Sequence, residues 1–140
     1  MSGGDEAMAT VREVLARGNH FVTLPKIVVD GVRSSYKQSH PECALCSVSG
    51  NPAPADHLHE ISGGPLRKWS QYRVEQFLSL CAAHHAEVHD TDRWPVAKQL
   101  AAKILVDTGN FDLVLFNALR KGTKPMYHME DIVEYLEMRV

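Results

Sequence analysis

The sequence has few cysteines and little excess of charge of either sign, and both shortages narrow the class of protein. Three cysteines occur among 140 residues. An odd number of cysteines does not build a closed disulfide framework, and it suits reduced thiolates around a metal ion. The chain has 17 acidic and 15 basic residues, for a net charge of −2. This balance argues against a general polyanion binder, so any nucleic-acid contact must come from local basic clusters.

Long apolar runs are also missing. No stretch is apolar enough over sufficient length to span a bilayer, and the start of the chain carries no signal-peptide pattern. The sequence shows neither an internal repeat nor a low-complexity tract. With 44% hydrophobic and 23% charged residues, it suits one compact domain over residues 1–140. We therefore expect an intracellular protein with no membrane partner.

The cysteines lie in two short motifs that together have the composition of a zinc site. The first motif is Cys43-x2-Cys46, and the second is Cys81-x2-His84. Three thiolates and one imidazole are ligands typical of a tetrahedral structural zinc ion. Buried thiols without a metal are the alternative, but the double spacing favours zinc.

A second set of chemically active side chains remains when the zinc ligands are set aside. On a helix that begins at Cys81, residues three apart share a face, so Cys81 and His84 lie together. His85 and His89 are four apart and share a face roughly 90° further round. Asp56 and His57 precede them in the chain. One helix would thus serve two sites, one that holds the fold and one that performs chemistry.

Local patterns predict an α+β chain. Turn residues bound the short segment Ala55–Ile61, and Phe77–Leu80 lies directly before the helix that begins at Cys81; we interpret these two segments as the strands of a hairpin. The zinc core then covers 41–90, between an N-terminal region over 5–33 and C-terminal helices over 95–138.

Periodicity and β-branched residues predict the flanking elements: helices over Asp5–Arg17, Val96–Val106, Phe111–Arg120 and Met129–Met138, and short strands over His20–Leu24 and Lys26–Val32. The last helix is acidic and amphipathic, so it serves either as a core helix, which we favour, or as a partner-docking helix.

Basic and aromatic residues interleave in the connection between the two hairpin strands. Arg67, Lys68 and Arg73 surround Trp69 there, and such a loop beside a metal site can hold a nucleic-acid backbone. A packed tryptophan among solvated cations would give the same pattern. The polar segment over 33–40 likewise serves either to approach phosphates or as a solvated linker.

These motifs resemble the HNH, or ββα-metal, endonucleases. The resemblance rests on Asp56-His57, on the Gly63-Gly64 loop and on Leu80-Cys81-x2-His84-His85-x3-His89, and it covers Cys43 to Asp90. With Cys-x2-Cys ahead, the arrangement looks most like the HNH nucleases associated with phage recombination. It implies a ββα-metal core stapled by a structural zinc.

The resemblance also implies a role for each matching residue. His57 falls on the general base, and Asp56, His85 and His89 fall on the ligands of a working metal ion. Gln76 stands where the family has an asparagine that braces the hairpin and orients the base. The zinc ligands fall on Cys43, Cys46, Cys81 and His84.

The expected function is metal-dependent hydrolysis of DNA phosphodiester bonds, with Zn²⁺ as the structural ion and Mg²⁺, Mn²⁺, Ni²⁺ or Zn²⁺ as the working ion. His59 shares a strand face with His57 and could assist, whereas His20, His40 and His128 are expected to be structural. Because the resemblance points to phage nucleases, it implies the cytoplasm of a bacterial or phage-infected cell and a recombination or phage partner protein. The alternative is a zinc-stabilised module that binds nucleic acid or protein without cleavage, which Gln76 and the acidic balance favour.

Overall fold

The computed structural model of this chain describes residues 23–62, 67–119 and 126–140. The helix predicted over Asp5–Arg17 lies outside these ranges, as does most of the strand predicted over His20–Leu24. Thr23 and Leu24, the last two residues of that predicted strand, are not in a strand.

The described part is a mixture of helices with one small sheet. Its elements are α1 (Lys26–Ser39), α2 (Ala44–Val48), β1 (His57–Glu60), α3 (Arg67–Ser70), β2 (Phe77–Leu80), α4 (Ala82–Glu87), α5 (Val96–Asp107), α6 (Leu113–Leu119) and α7 (Met129–Glu137). Short 3₁₀ turns over Val74–Gln76 and Thr108–Asn110 precede β2 and follow α5. Within the described ranges, no helix is both long and apolar enough to cross a membrane.

The predicted hairpin is present and forms the centre of the described structure. β1 and β2 pair antiparallel, with His57 opposite Leu80 and Glu60 opposite Phe77. All four residues of β2 are buried. Phe77 belongs to one cluster of buried apolar side chains, whereas Leu78 and Leu80 belong to a second cluster. β2 therefore lies between two parts of the core, which explains why its apolar residues occupy both faces of the strand.

The strand predicted over Lys26–Val32 is wrong, because this segment is the first half of α1. Valines suggested a strand, but the buried positions Val29, Val32 and Tyr36 follow helical spacing. Burying that stripe against the hairpin outweighs the weaker β preference of the valines. The same helix contains most of the polar segment over 33–40. Arg33 does not project freely from it, since its guanidinium lies 3.0 Å from the Glu60 carboxylate.

The C-terminal helices are close to their predicted bounds. α5 extends one residue beyond its prediction, and α7 ends one residue before it. α6 begins at Leu113 rather than Phe111, and Arg120 lies outside the described residues. α7 packs against α5 and buries Ile132 completely. These contacts agree with the interpretation of α7 as a core helix.

A buried polar network ties α1, β2 and α5 together. Lys103 is completely buried, and its ammonium donates to Asp107 at 2.7 Å and to the Phe77 carbonyl at 2.6 Å. The Tyr36 hydroxyl donates to the same Asp107 oxygen at 2.6 Å. Burial lowers the pKa of Lys103, and Asp107 opposes that shift. Burial acts to raise the pKa of Asp107, but Lys103 and Tyr36 outweigh it and hold that pKa below its ordinary value. Each of these three buried groups thus depends on the others for its hydrogen bonds.

We expect Asp107→Asn to lower the free energy of unfolding by about 3–5 kcal/mol, because it leaves the Lys103 ammonium buried without its counter-charge. Combining it with Lys103→Met removes that stranded charge and should recover part of the loss. Urea denaturation of both variants measures the difference. A double variant less stable than Asp107→Asn alone would contradict this account of the pair.

Candidate metal centres

The two cysteine motifs are brought together by the starts of two short helices. Cys43 caps the N-terminus of α2, and Cys46 lies within that helix. Cys81 caps α4, where its thiol accepts a hydrogen bond from the His84 backbone N–H. The Cys43 backbone N–H donates to the Ala53 carbonyl at 2.8 Å, which closes the loop that follows α2. The predicted set of Cys43, Cys46, Cys81 and His84 is therefore a single cluster.

The separations within this cluster fit one tetrahedral ion. The Nδ1 atom of His84 lies 3.4 Å from each of the three Sγ atoms, and the Sγ atoms of Cys46 and Cys81 lie 3.9 Å apart. Ligand bonds of about 2.3 Å to sulfur and about 2.0 Å to nitrogen give tetrahedral edges of roughly 3.5–3.8 Å. All three thiols are free, and 3.9 Å is far beyond a disulfide bond. The donor set and its spacing thus suit a metal such as zinc.

Electrostatics in the cluster also favour a cation. Desolvation, together with hydrogen bonding and charge repulsion from the neighbouring thiols Cys43 and Cys81, raises the pKa of Cys46 to about 12. The backbone hydrogen bond from His84 lowers the pKa of Cys81. Several thiolates at these distances repel one another, so the fully charged set needs a positive ion at its centre.

The adjacent histidines His84 and His85 should respond differently to substitution. We expect His84→Ala to lose zinc and several kcal/mol of stability, because the binding energy of a structural metal is folding energy. His85→Ala should keep one zinc per chain and a melting temperature near that of the parent. Elemental analysis and thermal melts measure both effects. Equal zinc content and stability in the two variants would contradict this division of the helix.

A second cluster consists of His59, His85 and His89. One nitrogen of each imidazole lies within 4.8 Å of the others. His59 comes from β1, His85 from α4 and His89 from the turn after α4, which ends at Glu87. The ring centroids of His85 and His89 are 4.9 Å apart, and His59 lies 5.8 and 5.7 Å from them. Three convergent imidazoles are a ligand set for a transition-metal ion.

Asp56, the expected carboxylate ligand, is not a member of this cluster. Side chains alternate along β1, so neighbouring residues of this strand point to opposite faces. Leu58 packs into the core beside α1, and Glu60 binds Arg33. Asp56 directly precedes β1, two residues before Leu58 and four before Glu60. His59 lies on the same face of β1 as His57. The structure thus groups His59, and not Asp56, with His85 and His89, and Asp56 as a ligand stays a prediction. Side-chain alternation, which puts His59 on the same strand face as His57, was the sequence signal that could have identified His59 as a candidate ligand.

His57 lies beside the second cluster rather than inside it. Its side chain is exposed, and its ring stacks on that of His85 with centroids 4.6 Å apart and an interplanar angle of 19°. In this position the His57 imidazole can contact both solvent and a molecule bound at the second cluster.

Gln76 lies at the opposite end of the strand ladder from His57. It ends the 3₁₀ turn before β2, and its carbonyl accepts from the Ile61 N–H at 2.8 Å. Its side chain is fully buried, and neither amide atom has a hydrogen-bond partner. Gln76 is therefore too far along the hairpin to touch the His57 imidazole, and any influence on it would pass through the hairpin.

The predicted nucleic-acid contacts are placed only in part. The side chains of Arg67 and Lys68 lie outside the described residues. Arg73 is 1% exposed, with Glu75 at 4.0 Å, and burial lowers its pKa. A nucleic acid outside the protein could not reach this guanidinium. Arg73 is thus corrected from a surface contact to an interior group.

The surroundings of His59 and His85 favour the neutral imidazole of each residue. Burial, with smaller contributions from His85 and His89, lowers the pKa of His59 to about 4 against the opposing effect of Gln99. Burial also lowers the pKa of His85, with further contributions from His57 and His89. A neutral imidazole is the form that binds a metal. The residues present therefore fit a divalent transition-metal ion.

The second cluster predicts unequal effects at His59 and Asp56. In protein that carries structural zinc, we expect His59→Ala to weaken Ni²⁺ binding at the second cluster by more than the roughly 10–100-fold typical of a supporting residue. Asp56→Ala should bind Ni²⁺ within a few-fold of the parent, because this carboxylate is not among the three donors. Calorimetric titration measures both affinities. The opposite ranking would identify Asp56 as the ligand.

Comparisons of this chain with family models, curated proteins and solved structures give no match. Its interpretation depends on the two clusters themselves and on the sequence resemblance to HNH endonucleases.

Proposed function

We propose that this protein is a metal-dependent endonuclease that hydrolyses DNA phosphodiester bonds. The observation that carries the proposal is the presence of four histidines beyond the needs of the cysteine cluster. His59, His85 and His89 converge within 4.8 Å, and His57 stacks on His85 beside them. A module that used zinc only to hold its shape would have no need for a second group of convergent imidazoles.

The second cluster would hold the working divalent ion, which supplies charge neutralisation of the phosphate and stabilisation of the departing 3′ oxygen. Imidazole donors suit Zn²⁺ and Ni²⁺ better than Mg²⁺, which prefers oxygen ligands. Replacing Asp56 by His59 in the ligand set thus narrows the choice among the four expected cations. Zn²⁺ and Ni²⁺ become better candidates than Mn²⁺ and Mg²⁺.

His57 is the proposed general base. Its exposure lets its imidazole reach a water molecule beside a bound phosphodiester, and a neutral imidazole can accept a proton at physiological pH. The stacked ring of His85 restricts the orientation of His57. In this proposal His57 accepts the proton, and His85, whose ring stacks on it, binds the metal.

The cysteine cluster has a separate task in this scheme. His84 belongs to the cysteine cluster, and His85, the next residue, belongs to the second cluster. A structural ion at the first cluster would fix α4 against the segment over 43–46, and with it the direction in which His85 projects. The proposed zinc is thus a positioning device for the proposed catalytic site.

The resemblance to phage HNH nucleases supports DNA as the substrate, a bacterial or phage-infected cytoplasm as the setting and a recombination protein as a partner. The second candidate function is a zinc-stabilised binding module without cleavage. Gln76 favours it, since this side chain stands at the family's asparagine position and makes no hydrogen bond.

The test is cleavage of supercoiled plasmid with Mn²⁺, Ni²⁺, Zn²⁺ or Mg²⁺. We expect nicking that depends on the added ion, and we expect His57→Ala to slow it by about 10²–10⁴-fold, the usual contribution of a general base. His128→Ala, which alters an exposed histidine before α7, is the matched control and should cut as fast as the parent.

Zinc content should be measured alongside, so that a chelator's effect on the cysteine cluster is separated from loss of the added ion. If the folded, zinc-containing parent binds DNA but leaves the plasmid intact with every cation, the binding-module function is correct. If His57→Ala cuts as fast as the parent, His57 is not the base.

A further inference from the structure

Gln99 lies outside the stretch that resembles HNH nucleases, yet its side chain contacts the second histidine cluster. It is on α5, and it is 3% exposed. Its Oε1 atom lies 2.7 Å from Nε2 of His59. This contact joins a helix with no predicted chemistry to one of the three convergent imidazoles.

The remaining contacts of Gln99 determine which way its amide points. The amide nitrogen donates to the Trp94 carbonyl at 2.9 Å, with a longer contact of 3.5 Å to the Val88 carbonyl. The reversed amide would set its oxygen against both carbonyls, and oxygen cannot donate to either. The acceptor Oε1 must therefore face His59, so Nε2 of His59 must carry the proton.

This hydrogen bond has a consequence for metal binding. A neutral imidazole with its proton on Nε2 offers its lone pair on Nδ1. Because Nε2 is engaged by Gln99, Nδ1 is the atom left for an ion. The Gln99 amide also holds the carbonyls of Val88 and Trp94, which flank His89 in the chain. One side chain thereby braces the segments that carry His59 and His89.

We infer that Gln99 is a positioning residue for the second metal cluster: its amide fixes His59 in the Nε2–H tautomer and directs Nδ1 toward the ion shared with His85 and His89. The inference rests on the metal site of the proposed function. It extends that site to α5, beyond the residues that the resemblance covers. Ligating histidines commonly donate their other N–H to a carbonyl or carboxylate, which fixes the tautomer and ring orientation.

Two substitutions separate positioning of His59 from simple bracing of the fold. Gln99→Glu keeps an acceptor for His59 but loses the donor to Trp94. Gln99→Met has a similar length and loses both. If Gln99 only braces the chain, the two variants should behave alike. If it positions His59, Gln99→Glu should rescue what Gln99→Met loses.

The first readout is the tautomer of His59, measured by long-range ¹⁵N–¹H correlation in protein whose second cluster has been freed of metal. We expect Nε2–H in the parent and in Gln99→Glu, and a mixture of tautomers in Gln99→Met. The second readout is Ni²⁺ affinity by calorimetry, with zinc kept at the cysteine cluster. We expect a loss of about 10–100-fold in Gln99→Met and an affinity in Gln99→Glu at or above that of the parent.

The Nδ1–H tautomer in the parent would overturn the inference, as would a parent that binds no Ni²⁺ at this cluster. Equal losses in the two variants would also overturn it. Should Gln99→Met fail to fold, the parent tautomer and the affinity of Gln99→Glu still decide the question. Neither readout uses DNA, so a parent with the expected tautomer and affinity but no cleavage would refute the nuclease function alone.

Discussion

The position of α4 is tied to the cluster in which the two cysteine motifs meet. This helix has six residues, and none of them is buried. A helix so short is not stable in water alone, and most helices gain their stability from an apolar face packed on the core. α4 lacks such a face. Its first turn is held instead by Cys81 and His84 against Cys43 and Cys46, and Val88 behind it enters the core. A metal in this cluster would thus supply the stability that apolar packing does not.

Rigidity on the other side of the site comes from the hairpin. β2 is buried on both faces, and the Lys103–Asp107–Tyr36 network fixes its first residue through the Phe77 carbonyl. β1 is fastened by Glu60, whose carboxylate accepts hydrogen bonds from Arg33 and Ser70. His57 and His59 project from this braced strand toward α4. Two independent devices, a thiolate cluster and a buried polar network, therefore determine the distance between the histidines of β1 and those of α4.

The sequence predicted the parts of this structure that depend on fixed spacing. The Cys-x2-Cys and Cys-x2-His motifs identified the cysteine cluster, and turn residues around Ala55–Ile61 identified the first strand of the hairpin. Sequence reasoning failed where tertiary contacts decide. The valines of α1 suggested a strand until their burial against Phe77 and Tyr72 was known. His59 was ranked below Asp56 because one sequence does not reveal which hairpin face α4 covers. Gln99 gave no signal, since its contact with His59 spans 40 positions.

The exchange of Asp56 for His59 alters the electrostatics of the proposed working ion. A carboxylate ligand would reduce the charge of a bound divalent cation from +2 to +1, whereas three neutral imidazoles leave it at +2. The interaction with a phosphodiester anion is roughly proportional to that net charge, so an ion held by three histidines would attract the proposed substrate more strongly. Three histidine ligands also lack the charge attraction that a carboxylate has for a cation. The affinity for the ion must therefore come from the softer imidazole donors. Transition metals meet that demand better than Mg²⁺ does. Gln99 compensates in part, because its carbonyl oxygen makes the His59 imidazole a stronger donor without adding charge to the site.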